Sequence, residues 1–353
     1  MPGDWFDNIA AGLEARADAD GSRRMEFVAG IRVNGAPHIG TYLTLASVFV
    51  FASRAKQSSG VPCSVHIHFL DNDPVPAAAD HAETHFHCVY QTRTAAEGAA
   101  FIREHYGSYL GELSELTGCS YDSETYSTAQ RRPEFRSAVL WSLRDWRNIK
   151  YYVSGPPSIE APTGVRGLGA PCPLCGLFNG RFRPSVELLS EESATLTAAC
   201  CHHGEYCASL TPSDGPFVNL ETGYRNVIKE ILALKSRECL SIMMKGTDWK
   251  DGLRSVDLVL GMLGVAKNGI LPRFLVPVVR TENGIKLSKS AILQAPGDFK
   301  SLPSCLLDMK VLRQESGDYA SRILHMAEEV LGSPAFSSSP VLPADVLRML
   351  RIS

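Results

Sequence analysis

The chain has 353 residues, 44% of them hydrophobic and 21% charged, with a formal net charge of −3. That is the make-up of a soluble globular enzyme, long enough for one α/β catalytic domain with an insert and a tail. The charge balance excludes the strongly basic character of a protein dedicated to nucleic acid, although a local basic face could still hold a tRNA end. The acidic N-terminal stretch MPGDWFDNIAAGLEARADAD has no apolar core of a signal peptide, and no run of 18 apolar residues predicts a membrane span. Ten cysteines, several at metal-ligand spacing, fit a reducing, cytoplasmic location better than a disulfide framework.

In chain order, Met25 to Ala29 is apolar and β-prone and reads as a buried strand of a parallel sheet. The stretch from Gly30 to Pro37 carries two glycines and a proline and predicts a turn. Tyr42 to Ala55 has neither Gly nor Pro and predicts an apolar helix. His38, Gly40 and Thr41 therefore stand where a strand meets a helix N-terminus, a place with free backbone N–H groups that attracts phosphate. Gly40 would let a flat nucleotide approach the backbone, and His38 could hydrogen-bond a phosphate oxygen as charge builds. The plain alternative is that His38 only caps the helix.

A second strand is predicted from Val65 towards Pro74. His66 and His68 alternate along it and share one face, where they could line a ligand pocket or serve structure. His81, His85 and His87 with Glu83 resemble a metal cluster, with His81 and His85 four apart on an expected helix. Lacking a cysteine or a known motif, they read as helix surface or pocket residues. Thr92 to Thr117 predicts a scaffold helix, and Trp141, Trp146 and Trp249 read as core or pocket wall.

The middle of the chain carries Cys172-Pro173-Leu174-Cys175-Gly176 and, further on, Cys200-Cys201-His202-His203-Gly204. Two such turns, each closed by glycine, suit a four-ligand structural Zn2+ site, with Cys172, Cys175, Cys200 and His203 as the favoured ligands. Cys201, His202 and Cys207 compete for the second pair. The surrounding insert, about 151–220, is rich in Gly and Pro at its start and short of apolar surface, so a metal would supply missing stability.

Pro272 to Arg280 predicts a late strand, Thr281 to Gly284 a turn, and Lys286-Leu287-Ser288-Lys289-Ser290 a mobile polar loop. Two lysines and two serines in five residues suit a phosphate clamp, although such clusters are commonly just solvated.

Together, Pro37-His38-Ile39-Gly40-Thr41 and Lys286-Leu287-Ser288-Lys289-Ser290 resemble the HIGH and KMSKS signatures of class I aminoacyl-tRNA synthetases. Order and context are most similar to the catalytic half of class I lysyl-tRNA synthetase, over roughly residues 25 to 295. Asp71-Asn72-Asp73-Pro74 stands where that family has an acidic D-x-D-P-type strand end. Gly246-Thr247-Asp248-Trp249 stands where it has Gly-x-Asp-His near the nucleotide. Thr41 replaces the last residue of HIGH, and the tryptophan-rich segment after the insert is reduced to Tyr224-Arg225. The resemblance implies attack of an amino acid carboxylate on the α-phosphate of ATP–Mg2+, giving aminoacyl-adenylate and pyrophosphate. His38 and Thr41 would hold phosphate oxygens, and Lys286 and Lys289 would neutralise the departing pyrophosphate. Pro37, Gly40, Gly246, Asp248, Ser288 and Ser290 would bind ATP, with Asp248 accepting from the ribose. Asp71, Asp73 and His68 would meet the amino acid.

The fold expected is a doubly wound, Rossmann-like parallel sheet. Its two halves would occupy 1–150 and 221–295, with the zinc insert at 151–220 and a short helical tail at 296–353. The tail leaves room for only a few helices where the family carries a large anticodon-binding domain. This favours a truncated enzyme that passes its acyl group to a small-molecule amine, with or without a tRNA as carrier, over a genuine lysyl-type tRNA ligase acting through the acceptor stem, and leaves a catalytically silent amino-acid-binding protein as the third reading.

Overall fold

The computed structural model describes residues 3–76, 85–88, 93–144, 168–179, 185–236, 238–332 and 340–351. Helix α1 (Gly3–Asp20) leads into strand β1 (Arg24–Arg32), helix α2 (Ile39–Ser59) and strand β2 (Cys63–Leu70). Short strands β3 (Pro74–Pro76) and β4 (His85–Cys88) follow. Then come α3 (Ala95–Ile102), a π-helical turn, α4 (Ser108–Thr117), β5 (Ser120–Thr125), α5 (Tyr126–Ala129) and α6 (Pro133–Arg144). The insert contributes β6 (Leu168–Gly169), β7 (Leu177–Asn179), β8 (Ser185–Ser190), β9 (Ser193–Cys200), β10 (Gly204–Leu210) and β11 (Asn219–Leu220). The chain returns through α7 (Thr222–Leu234), β12 (Cys239–Gly246), α8 (Lys250–Met262), β13 (Arg273–Val276) and α9 (Lys289–Gln294). It ends in α10 (Ser304–Leu307), α11 (Met309–Glu315), α12 (Tyr319–Gly332) and α13 (Pro343–Leu350).

Five strands form the central sheet in the order β13-β12-β1-β2-β5, and every pairing in it is parallel. The chain builds outward from β1 to β2 and β5, then crosses back to lay β12 on the other side of β1. The reversal between β1 and β12 is a topological switch point, where open α/β sheets form their ligand crevice. Crossover helices cover the sheet because parallel neighbours cannot be joined by tight turns. The expected α/β fold is therefore observed. Among the described residues, no helix is long and apolar enough to cross a membrane.

The two faces of the sheet differ. Met25, Phe27, Ala29, Ile31, Val65, Ile67, Phe69, Leu240, Ile242 and Met244 point to the main core, which α2 fills with Leu43, Leu45, Val48 and Phe49. Helix α2 is apolar around most of its circumference because it is covered on one side by the sheet and on the other by α1 and α12. It stops at Gly60, whose φ of 71° lets its N–H return to the Lys56 carbonyl. The expected helical tail is not an appendage: Phe299, Leu306, Leu312, Ile323, Met326, Val346 and Leu350 belong to the same core.

The opposite face presents Glu26, His66, His68, Ser241 and Lys245, and β5 adds Asp122 and Glu124 beside His66 and His68. Helix α7 lies over it. Tyr224, Val227, Ile228 and Ile231 of α7 face a second core shared with α6, α8 and the insert's Ala194, Leu196 and Ala198. The stripe Arg225, Asn226, Lys229 and Glu230 faces the sheet instead.

Two local expectations change. His85 and His87 lie in a strand rather than a helix, because β4 pairs with β3 and β7. His81, Glu83 and Trp146 lie outside the described residues, as does the Gly- and Pro-rich start of the insert.

Candidate active site

A cleft of about 350 Å³ opens at the C-terminal ends of β1 and β12, at the switch point. His38, Gly40 and Thr41 line it from the start of α2, Gly246 and Asp248 from the end of β12, and Lys286, Ser288 and Lys289 from the segment before α9. Residues far apart in sequence meet there because β1 and β12 are hydrogen-bonded neighbours.

His38 is the N-cap residue of α2, but its side chain makes no capping hydrogen bond. The imidazole is only 7% exposed, and its buried Nδ1 has no hydrogen-bond partner. Burial, reinforced by the charges of Lys289 and Lys286, pushes its pKa down to about 3, so the ring is neutral at physiological pH. Gly40 makes room for this ring. A Cβ at position 40 would sit 3.1 Å from His38 Cε1 and 3.2 Å from Nδ1, tighter than ordinary contact. The glycine thus serves the histidine as well as any ligand.

The expected mobile loop is a pinned hairpin. Arg280 bridges Lys286, Thr281 N–H donates to the Ile285 carbonyl at 2.8 Å, and Gly284 turns the chain at φ 78°. Leu287 is buried in the main core and its N–H donates to the Val279 carbonyl at 2.9 Å. An apolar residue between the two lysines thus anchors a segment that its charges alone would leave solvated. Lys286 Nζ donates to Asp248 Oδ2 at 2.6 Å. Lys289 Nζ donates to the Arg32 carbonyl at 2.7 Å, and burial lowers its pKa to about 8. The Ser288 hydroxyl accepts from Ala291 N–H at 3.2 Å and starts α9. Gly246 is required by Asp248: a Cβ there would lie 2.4 Å from Asp248 Oδ1 and 3.0 Å from Val278 Cγ1.

Other expected site residues lie elsewhere. The Pro37 carbonyl accepts from Met309 N–H at 3.2 Å, and Pro37 does not line the cleft. The Asp71 carboxylate accepts from the Ser127 N–H at 2.9 Å and from its hydroxyl, which ties β2 to α5 away from the cleft. Asp73 is buried behind the wall, accepting from Asn34 Nδ2 at 2.5 Å, with Arg32 Nε at 3.6 Å. His68 lines a neighbouring cavity of about 310 Å³ on the polar sheet face, with His66 and Glu124. Ser290 is the second residue of α9, next to the cleft's Lys289.

The sequence reading missed the floor of the cleft. Arg225, Asn226 and Lys229 from α7 and Lys245 from β12 all line it. Counting Arg32, Lys286 and Lys289, the lining among the described residues holds six basic side chains against one carboxylate, Asp248. Buried cations without acids are rare outside ligand sites.

The insert gathers a second constellation. The ligand atoms of Cys172, Cys175, Cys200 and His203 all lie within 4.8 Å of one another. Cys175 Sγ is 3.6 Å from Cys200 Sγ, and His203 Nδ1 is 3.4 Å from Cys172 Sγ and 3.5 Å from Cys200 Sγ. A tetrahedral zinc with Zn–S bonds of about 2.3 Å sets its sulfurs about 3.8 Å apart, so the donor set fits that ion. Cys201 and His202 are exposed outside this cluster, and Cys207 Sγ turns to Thr197 Oγ1 at 3.4 Å. Gly176 and Gly204, at φ 73° and 71°, close the two turns.

The sequence matches no protein-family model and no curated protein. Among solved structures it is similar to Leishmania major tyrosyl-tRNA synthetase, with TM-score 0.40 and 11% identity over 79% of this chain and 30% of that one. The chain thus spans less than a third of the Leishmania protein. It is also similar to a putative arginyl-tRNA synthetase from Campylobacter jejuni, with TM-score 0.36 and 10% identity over 98% of this chain and 71% of that one. A tryptophanyl-tRNA synthetase from Encephalitozoon cuniculi gives TM-score 0.37 and 10% identity over 97% and 87%. At these scores the likeness bears on neither the reaction nor the substrate of this chain.

Proposed function

We propose that the protein activates an amino acid with ATP, forming an aminoacyl-adenylate and releasing pyrophosphate. The acyl group would then pass to a small-molecule amine or to the acceptor end of a tRNA. The observation that carries this reading is the convergence of His38, Lys286 and Lys289 on one cleft at the switch point of a parallel sheet.

In this reaction a carboxylate oxygen of the amino acid attacks the α-phosphorus. The bond from that phosphorus to the oxygen bridging to the β-phosphate breaks, and its electron pair leaves with pyrophosphate. The protein supplies position and charge. The neutral imidazole of His38 would donate to a phosphate oxygen as negative charge develops. Thr41, at the N-terminal turn of α2, would add a hydroxyl and the helix its backbone donors. Lys286 and Lys289 would hold the β- and γ-phosphates, and Asp248 would accept from the ribose hydroxyls. Asp248 is the one carboxylate lining the cleft among the described residues and is engaged by Lys286. Mg2+ would come with the phosphates of ATP and offset their charge, which suits its reluctance to dehydrate. Zn2+, held by Cys172, Cys175, Cys200 and His203, would be structural, since four protein ligands leave no open position.

ATP–pyrophosphate exchange with each amino acid in turn, without tRNA, tests the reaction. Exchange with one amino acid, lost in His38→Ala and Lys289→Ala, is the expected result. Absence of exchange with every amino acid, both alone and with total tRNA added, would overturn it. A gel shift with total tRNA then separates the two acyl acceptors.

A further inference from the structure

The cleft has two cationic ends built from different parts of the chain. One is the start of α2 with the hairpin before α9, the end assigned above to ATP. The other is formed by α7 and β12 and has no role in that assignment. Its members are Arg225, Asn226, Lys229 and Lys245.

Among the described residues none of them forms an ion pair, although Asp73, Glu124 and Glu230 act at longer range on Arg225, Lys229 and Lys245. Arg225, only 3% exposed, donates to Asn72 Oδ1 at 2.8 Å and more weakly to the Leu220 carbonyl and the Thr222 hydroxyl, all uncharged. Lys245 Nζ donates to Asn226 Oδ1 at 2.9 Å. Asn226, 4% exposed, spends its oxygen on that bond, and its buried Nδ2 has no hydrogen-bond partner. No ion pair or hydrogen bond of Lys229 is found among the described residues. Its ammonium stands over β1 where Gly30 has no side chain, 3.9 Å from the point a Cβ would occupy.

The nearby acids are already engaged. Glu124 accepts from Arg132 Nη2 at 3.0 Å, with His68 Nδ1 at 3.4 Å and His66 Nε2 at 3.7 Å. Glu230 is bound by the Arg273 guanidinium, which also holds Asp257. Asp73 faces Arg32 and Asn34. The remaining groups are three basic side chains and one buried amide donor that share one end of the cleft and, among the described residues, hydrogen-bond to no carboxylate; Lys229 also borders the neighbouring cavity that holds Glu124.

Such an arrangement costs folding energy unless an anion completes it. We propose that Arg225, Asn226, Lys229 and Lys245 form the subsite for a side-chain carboxylate, so that the amino acid activated is a dicarboxylic one. This rests on the adenylation reading, in which the α-carboxylate reacts at the ATP end while the second carboxylate anchors here. Lysine, the substrate suggested by the sequence resemblance, fits poorly: its ε-ammonium would meet three cations and no free carboxylate. Arginine and lysine together suit a carboxylate, the first as a planar fork and the second as a point charge.

The test uses the full chain and two readouts. ATP–pyrophosphate exchange is measured with L-aspartate, L-glutamate, L-alanine and L-lysine, and binding of the same four without ATP by calorimetry. Acidic amino acids alone should exchange. Lys229→Gln should raise their KM about 10-fold or more and leave the KM for ATP within about twofold. Lys229→Glu should move preference towards lysine. Exchange with alanine or lysine but neither acid overturns the subsite while the adenylation reading stands. Binding of an acidic amino acid, weakened in Lys229→Gln but without exchange, keeps the subsite and removes the adenylation reading. Neither binding nor exchange with any of the four overturns the subsite.

Discussion

The Lys245→Met variant should be more stable than the parent and should lose its substrate. Lys245 is held at a pKa of about 8 against 10.5 in an open chain. Burial is the main cause; the Glu230 carboxylate opposes it, and the charges of Arg225 and Arg273 add to it. At neutral pH that depression disfavours the native state by about 3 kcal/mol, at about 1.4 kcal/mol for each tenfold change. Methionine fills a similar volume without charge. It orphans Asn226 Oδ1, which costs about 1–2 kcal/mol, and it relieves Lys229, whose pKa is pushed further down by Lys245. The net gain is about 1–2 kcal/mol, or about 1–3 °C in Tm for a chain of this size. The sign with pH is distinctive. Below about pH 8 the lysine is charged in both states and the full penalty applies. Between about 8 and 10.5 the native state releases its proton first, so the parent gains stability as pH rises, and above that window the penalty is gone. Thermal unfolding at pH 7, 9 and 10.5 should show the variant's advantage shrinking to nothing. A variant less stable than the parent at pH 7, or an advantage undiminished at pH 10.5, would refute the claim that this cation is held against folding for a ligand.

Two further outcomes follow from the geometry. Gly246→Ala puts a Cβ 2.4 Å from Asp248 Oδ1, so the carboxylate must move and release Lys286. The KM for ATP should rise about 10-fold with a loss of about 1 kcal/mol in stability, and an unchanged KM would dissociate Asp248 from the nucleotide. The purified chain should carry zinc at one equivalent, lost in Cys200→Ser, with faster hydrogen exchange across 168–210 on chelation. Metal analysis finding no stoichiometric zinc would reduce the Cys172–Cys175–Cys200–His203 cluster to thiols.

What the sequence made legible was local. The strand–turn–helix at Met25 to Ala55 is read from apolar runs broken by Gly and Pro, and β1 and α2 form there. The Cys172 and Cys200 turns are read from two-residue spacing closed by glycine, and their ligand atoms do cluster. What stayed illegible depended on long-range partners. Asp71 and Asp73 read as substrate-binding carboxylates because Asp71-Asn72-Asp73-Pro74 resembles an acidic strand end of the synthetase family. Ser127 and Asn34, distant in sequence, claim them for structure instead. The 286–290 segment looked free because its charges outnumber its one leucine, yet Leu287 and the ladder to Val279 fix it. Arg225 and Lys229, four residues apart on α7, carry the signature of a solvated helix face. That face points at the sheet, and only tertiary structure shows it. A signal was available, since the apolar positions 224, 227, 228 and 231 mark one stripe of α7 and leave 225, 226 and 229 on the other. What no periodicity could say is that both stripes are covered. The lone lysine ending the apolar strand Cys239–Gly246 was the second clue.

The division of labour between the sheet's two faces explains how a chain tolerates so many buried charges. A parallel sheet normally buries apolar side chains on both faces. Here α2 and α12 with the first face form one large core, and α7 builds the second core with α6, α8 and the insert. Helix α7 is therefore anchored by Tyr224, Val227, Ile228 and Ile231 rather than by the sheet beneath it. Its opposite stripe is released from any duty in packing. Arg225, Asn226 and Lys229 can then be held over β1 and β12 in fixed positions, the two cations shielded from solvent and, among the described residues, in no direct ion pair, with Asp73 and Glu124 acting on them only at longer range. The same separation predicts where change is tolerated. Substitutions on the Val227 stripe should cost about 1–3 kcal/mol of stability, as core truncations do. Substitutions on the Lys229 stripe should change ligand binding while leaving stability unchanged or improved. In this fold the helix that closes the cleft is stabilised from behind, and that leaves its front for recognition.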